Sequence, residues 1–363
     1  MKYSILITYY QGENIIKTAL NLLCKSLGDR KDIEIIISCD NPKLDISELE
    51  KIDPLSRIKT INTHINGGYS VACNRAAQIA QGEYIILMDS DIFVTSGWLE
   101  GLEDVYVKKE NVGCVSCTIL NLNNGGVVHW GLALMGVEVL KPFRDGQLPE
   151  KLKNTITEFP LLTSGCLMVK RSVYEKVGGM DADFYNGYCD LDFTFKIHRM
   201  NFINYATTNS IVYHRGKIAG QIRIMGEEDT RVLFFSRWGN TLPSNGIETY
   251  QTLLRLADIP HNKEYIFCNF SKSLYLLHYK NAIQSVFNCN FSCDYELKNI
   301  SMPALMEDVL PWDMCAISLP FIYFCDNINS LIQNRHWFFH RKGKGDLLID
   351  RNGNILDTDK IYQ

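Results

Sequence analysis

The sequence predicts a three-layer α/β/α protein with a mostly parallel central sheet, followed by a C-terminal, mainly helical extension. Three observations carry that expectation. Strand-length apolar runs alternate with helix-period segments from Tyr3 to Leu120. The composition, 46% hydrophobic and 21% charged, is that of an ordered globular chain. The acidic triplet Asp89-Ser90-Asp91 closes an apolar run, Gly82 to Met88. In parallel α/β sheets the carboxyl ends of strands are where ligands bind.

The elements come in this order. Tyr3–Thr8 reads as a strand. Asn14–Lys25 reads as a helix, because Ile15, Ile16, Ala19, Leu20, Leu22 and Leu23 form a stripe at helical period. Ile33–Ser38 is a strand, Ile46–Ile52 a short helix, Ile58–Ile61 a strand and Tyr69–Ala80 a helix. The Glu83–Met88 strand leads to a helix from about Gly97 to Val107, then a strand over Val112–Leu120. Asn121 to Pro160, rich in Asn, Gly and charge, suits long loops over a site. Leu161–Lys170 is a strand, followed by a short helix to Val177. Asp190–Met200 is helical, and Phe202–Ala206 and Ile211–His214 are two short strands. Composition shifts near Gly220, which sets the expected domains at 1–225 and 226–363. In the second, the segments around Leu233 and over Thr249–Ala257 are helical, and Asn352-Gly353 signals a hairpin.

At 363 residues the chain is long enough for a large core. A net charge of -4 argues against a general nucleic-acid binder. No apolar stretch reaches the ~18 residues of a membrane span. The first residues read as a strand and not as a signal peptide, so a cytoplasmic protein is expected, with peripheral contact at the inner face of a membrane still open. The 12 cysteines are scattered, several in apolar segments, as reduced buried thiols are. Cys114 and Cys117, and Cys289 and Cys293, lack a second pair at zinc spacing.

The triplet is the first candidate site. Side chains two apart on an extended chain point the same way, so Asp89 and Asp91 could both reach one hard cation. Around it stand other site-like segments in order: Ser4 to Tyr10 and Glu34 to Asn41; Asn66-Gly67-Gly68 through Ala77; Gly165 to Arg171; and Asn186 through Cys189-Asp190-Leu191-Asp192-Phe193. Glycines before a helix let backbone approach a ligand closely. If a helix starts at Asp190, Asp190 and Asp192 cannot share a face, so one can enter a site while the other caps the helix or binds a side chain.

In the order and spacing of these segments, over residues 3 to 216, the chain resembles the family 2 glycosyltransferases of glycosyltransferase-A fold. Gly126 to Gly131 and Pro142 to Gly146 resemble motifs of the bacterial surface-polysaccharide (O-antigen and capsule type) members. The resemblance implies a metal-dependent, inverting transfer of one sugar from a UDP-, dTDP- or GDP-linked donor to a hydroxyl of a growing glycan. It implies Mn²⁺ or Mg²⁺ held by Asp91, with Asp89 and His214. It implies donor contacts from Thr8, Tyr10, Asp40, Asn66, Gly67, Asn74, Arg75, Asp89 and Ser90. It implies a base at Asp190 or Asp192, and acceptor contacts from His129, Trp130 and Arg144. Two departures stand out. Asp40 is followed by Asn41-Pro42 where the family continues with Ser and a second Asp, and Cys189 stands where it commonly has Glu. A core-packed Trp130 is an equal alternative to sugar stacking.

Arg335 to Lys344 interleaves aromatics with bases. It reads as a strand with a solvated basic end, or as a contact to anionic headgroups or a lipid-linked acceptor. Rival functions are a nucleotidyltransferase, a degenerate glycan- or nucleotide-binding module, and a protein-modifying glycosyltransferase. The first usually opens with a Gly-rich basic loop, where this chain has Tyr9 to Glu13. Four retained aspartates speak against the second.

Overall fold

The computed structural model describes residues 1–216, 226–287, 316–333 and 335–362. Cys289 and Cys293 lie outside the described residues, as does the start of the composition shift near Gly220. The nine described cysteines are free and buried. The chain divides into two compact units, Met1–Leu132 with Leu152–Pro243, and Ala133–Lys151 with Ser244–Gln363. The division after Pro243 replaces the expected one at 225, and residues 133–151 leave the first unit for the second.

The first unit runs β1 (Tyr3–Tyr9), α1 (Glu13–Leu27), β2 (Ile33–Cys39), β3 (Ile58–Asn62), α2 (Tyr69–Ile79), β4 (Tyr84–Asp89), β5 (Ile92–Val94), α3 (Trp98–Lys108), β6 (Val112–Asn121) and β7 (Val127–His129). The short β8 (Ala133–Met135) and β9 (Glu138–Leu140) form a hairpin in the second unit. The first unit resumes with β10 (Ile156–Glu158), β11 (Cys166–Lys170), α4 (Arg171–Lys176), α5 (Cys189–Arg199), β12 (Ile203–His214) and α6 (Glu227–Trp238).

Its sheet has the order β10-β12-β6-β11-β4-β1-β2-β3. Strands β3, β2, β1 and β4 are parallel, as are β6 and β12. β11 lies antiparallel between β4 and β6. Helices cover both faces, which is why the central strands read as unbroken apolar runs: Ile5, Leu6, Ile35, Ile36, Ile86 and Leu87 are all fully buried. The stripe on α1 buries Ile16, Leu20, Leu23 and Leu27, each worth about 1.5–3 kcal/mol of transfer.

Three elements differ from expectation. Ser47–Ile52 is a 3₁₀ turn. The strand predicted from Leu161 begins only at Cys166, and Leu161 makes an isolated bridge with Leu132. Phe202–Ala206 and Ile211–His214 belong to one 12-residue strand, β12, whose register against β6 shifts between Thr207 and Ile211. The polar run Thr207-Thr208-Asn209-Ser210 reads as a break. It stays in the strand because its hydroxyls are satisfied by carbonyls far away in the chain, Thr208 Oγ1 by that of Leu152 (2.6 Å) and Ser210 Oγ by that of Trp98 (2.5 Å).

In the second unit, α7 (Gly246–Leu256) precedes β13 (Ile266–Asn269), α8 (Leu276–Phe287), β14 (Phe321–Cys325), α9 (Ile328–Gln333), β15 (Leu347–Asp350) and β16 (Ile355–Asp357). Beside the expected helices it thus holds a four-stranded sheet, β13-β14-β15-β16, parallel in its first three strands. The Asn352-Gly353 signal does make the β15–β16 hairpin, with Gly353 at φ 81°. The basic run is not a strand: Arg335–Arg341 is a 3₁₀ helix. Arg341 is 1% exposed, sits 3.6 Å over the Phe321 ring and binds Asp346 with Nε at 2.7 Å. That guanidinium is a core ion pair, not a headgroup contact. No described helix is long and apolar enough to cross a membrane.

Candidate active site

Strand β4 ends at Asp89, and Ser90-Asp91 makes the turn into β5. The two carboxylates therefore converge through a turn, not through strand alternation. β5 pairs with the end of β12, His214 facing Ile92, and this brings His214 beside the turn. Ligand atoms of Asp89, Asp91 and His214 all lie within 4.8 Å of one another. Asp91 is buried, and its Oδ2 accepts from His214 Nε2 (3.1 Å) and from the Gly216 amide (3.0 Å). Burial alone would push its carboxyl up, but the His214 contact and the Gly216 N–H outweigh it and hold the group below the usual carboxylate range. Gly165 borders the turn, and a Cβ there would stand 3.0 Å from Ile119 Cδ1 and 3.4 Å from Asp89 Oδ2. Two hard carboxylate oxygens and one imidazole suit Mn²⁺ well, and Mg²⁺ less so because of the nitrogen.

Asp190 lies in the first turn of α5, half-buried, with Oδ1 accepting from the Leu191 amide (3.0 Å). The neighbouring Cys189 is buried, and burial pushes its thiol up, with the charges of Asp190 and Asp89 adding to the effect. The half-buried Tyr69 donates its hydroxyl to the Ser164 carbonyl (3.4 Å) and also feels Asp89 and Cys189. Asp192 faces elsewhere. It is 0% exposed and pairs with Lys196 Nζ (2.8 Å), Arg237 Nη1 (3.2 Å) and Trp238 Nε1 (2.9 Å). As a candidate base it is replaced by a structural role, because its lone pairs are turned to cations inside the fold.

The expected donor residues separate into groups. Thr8 neighbours Asp89 in register on β1, and Ser90 is in the acidic turn. Tyr10 follows β1, its carbonyl accepting from Asn41 Nδ2 (3.1 Å). Asp40 is buried, and its two oxygens accept the amides of Gly67 (2.9 Å) and Gly68 (2.8 Å). Its carboxylate thus shapes the Asn66–Gly68 loop. Burial raises its carboxyl and these N–H donors oppose the rise. Asn66 Oδ1 accepts from Tyr185 (2.6 Å), and the Arg75 guanidinium donates to the Thr63 carbonyl while acting on Asp40. Asn74 points away: its amide donates to the Met180 carbonyl (2.7 Å) and accepts from the Met180 amide (3.0 Å) and the Tyr174 hydroxyl (2.7 Å). It ties α2 to the turn at Gly179.

Of the acceptor candidates, His129 ends β7 opposite Ile119, half-buried. Trp130 is 3% exposed and packs edge-on against Phe159 at 5.4 Å, so it is a core residue and not a sugar platform. Arg144 belongs to the second unit, where its carbonyl accepts from Asn354 Nδ2 (2.8 Å). Sequence reasoning missed Tyr69, Tyr185 and the Arg237-Trp238 pair. Each acts on a segment far away in the chain, and no local period marks it.

The geometry agrees with what comparison with known proteins establishes at the level of family. The family model for glycosyl transferase family 2 matches residues 4–178. Those residues form a family 2 glycosyltransferase domain. The chain carrying this family 2 domain is 34% identical over 101 residues to the poly(ribitol-phosphate) beta-glucosyltransferase of Bacillus spizizenii, covering 26% of this chain and 16% of that one. It is 19% identical over 240 residues to the N-acetylglucosaminyl-diphospho-decaprenol L-rhamnosyltransferase of Mycobacterium tuberculosis, covering 60% and 77%. A solved structure of GalNAc-T7 with UDP, GalNAc and Mn²⁺ superposes with a TM-score of 0.53 at 15% identity, over 80% of this chain and 55% of that one. That likeness is one of fold, the glycosyltransferase-A fold. The chain spans about a fifth of the length of the first curated relatives it matches (22%, 16% and 18%).

Proposed function

We propose that the protein is a metal-dependent, inverting glycosyltransferase. It moves one sugar from a nucleotide-sugar to a hydroxyl of a growing bacterial surface glycan, which in some settings is lipid-linked, and it works at the cytoplasmic side of the membrane. The observation that carries this reading is the convergence of Asp89, Asp91 and His214 at the strand ends, and the half-buried Asp190 in the first turn of α5 is the candidate base beside it in this reading. The names of the relatives, transferases of glucose and rhamnose, support the substrate class.

Asp89, Asp91 and His214 would hold Mn²⁺ or Mg²⁺, which supplies charge neutralisation to a diphosphate leaving group. Asp40 holds the Asn66–Gly68 loop so that its backbone can approach the nucleotide. Thr8, Tyr10, Asn66, Gly67, Arg75 and Ser90 line the donor side in this reading, with His129 on the acceptor side. The acceptor oxygen attacks the anomeric carbon on the face opposite the diphosphate. Asp190 accepts the hydroxyl proton as the new C–O bond forms and the bond to the diphosphate breaks. One displacement inverts the configuration.

The test is thermal stabilisation by UDP-glucose, UDP-N-acetylglucosamine, dTDP-rhamnose and GDP-mannose, with and without Mn²⁺. A donor at 100 times its dissociation constant adds about 2.7 kcal/mol. One donor should shift the melt only with Mn²⁺, and Asp91→Ala should lose that shift. Equal shifts with and without Mn²⁺, or an unaltered shift in Asp91→Ala, would overturn the metal assignment.

A further inference from the structure

Helix α6 holds the turn that carries Asp190 from both sides. On one side is Tyr188, the residue before α5, a non-glycine at φ 56° in the left-handed region. Its ring packs on Phe234 (5.6 Å) and Phe235 (6.2 Å) of α6. The adjoining Asn186 carbonyl accepts from Thr230 Oγ1 (3.3 Å), and a Cβ on Gly187 would stand 3.4 Å from Glu227 and 3.5 Å from Thr230. On the other side is Asp192, fully buried, whose Oδ1 accepts from Trp238 Nε1 and Arg237 Nη1 at the far end of the same helix. The Asp192 amide donates to the Tyr188 carbonyl (2.9 Å) and closes the turn. Asp190 lies between these two anchored residues. Arg237 is itself fixed, since Nη1 also binds Asp181 (2.6 Å), and Trp238 packs edge-on against Phe195 of α5 at 5.2 Å.

We propose that Arg237 and Trp238 are positioning residues for the sugar-transfer step: by gripping Asp192 they fix the direction from which Asp190 meets the acceptor. The inference rests on the reading of Asp190 as the base. Asp190 stands in the first turn of α5 between Tyr188 and Asp192, so a shift of that turn moves the base, and a base misplaced by about 1 Å can cost on the order of 100-fold in rate. Because the described contacts of this grip are to Asp192, Asp181 and Phe195 and not to the acidic turn, it should govern the chemical step and leave donor binding alone.

The experiment uses the full chain with Mn²⁺ and the donor that stabilises it, and follows hydrolysis of that donor, a transfer to water. Trp238→Phe keeps the ring against Phe195 and removes only the N–H donor. Arg237→Met keeps the stem and removes the charge. Both should lower kcat roughly 10- to 100-fold while the donor KM stays within about twofold and the Mn²⁺-dependent melt shift persists. Arg237→Lys should recover part of the loss. An unchanged kcat in both variants overturns the proposal, as does a parallel loss of kcat, donor KM and melt shift, which would mark a general structural role. Should Arg237→Met fail to fold, Trp238→Phe decides alone. Asp190→Asn is the separate control. Wild-type turnover in that variant removes Asp190 as the base, whereas loss of turnover in it with normal rates in Trp238→Phe and Arg237→Met removes only the α6 grip.

Discussion

Asp190 and Asp192 stand two residues apart in one helical turn, and their surroundings give them opposite duties. Asp192 faces two cations and an indole N–H inside the fold. Asp190 is half-buried in the first turn of α5, next to the buried Cys189 in the chain. Asp192→Ala should therefore cost on the order of 3 kcal/mol, read in a denaturant melt, because Lys196 and Arg237 lose their buried partner. Asp190→Asn should melt within about 0.5 kcal/mol of wild type and lose turnover, read on the same protein sample. The sequence makes it legible that these two carboxylates diverge, since helical spacing forbids a shared face. Which one turns inward depends on Arg237 and Trp238, some 45 residues further along the chain, and local spacing holds no trace of that. Asp40 and Asn74 teach the same lesson. The family resemblance implies donor contacts for both, yet their polar atoms serve Gly67, Gly68 and Met180.

Among the elements, the loop before α2 has little room for change. Gly68 sits at φ 84°, and a Cβ there would collide with the Tyr185 carbonyl oxygen. The Tyr69 amide donates to that same oxygen (3.1 Å), so loop 66–69 and the segment before α5 are fitted to each other. Gly68→Ala should push the two apart. The expected result is a higher donor KM and a lower kcat together, with a loss of about 1–3 kcal/mol in stability, measured by kinetics and melting. Strands β1, β2 and β4 are legible because burial on both faces writes itself as continuous apolar sequence, and helix α1 because its buried stripe repeats at helical period. β12 was read as two strands because four polar residues in a row signal a loop, and only the distant carbonyls of Leu152 and Trp98 make them tenable inside a sheet.

At the scale of the whole molecule, the second unit carries a pH response of its own. Asp350 ends β15 almost fully buried, and burial raises its carboxyl from 3.8 to about 6, against the pull of hydrogen bonds from Asn354 and Asn352. A folded-state value above the unfolded one means that the neutral form is favoured by folding. The associated stability is therefore complete below about pH 4 and is lost as pH rises through 6, on the order of 3 kcal/mol in all. Asp350→Asn should remove that part of the dependence, seen as a difference between the melting profiles of variant and wild type across pH 4 to 7. The composition change near Gly220 sets the expected boundary at 225, whereas the compact units divide after Pro243, and α6 before that point still serves the first unit's Asp192. The excursion over 133–151 has a further consequence. The polypeptide passes between the units three times, after Leu132, Lys151 and Pro243, so neither is a cassette that recombination could swap in a single exchange. A chain ended at Pro243 would strand Leu134, Leu140 and Phe143, which are buried within the second unit, and should come out of solution on expression. Partial copies of such a gene would be weeded out at the level of the polypeptide before their chemistry was ever tried.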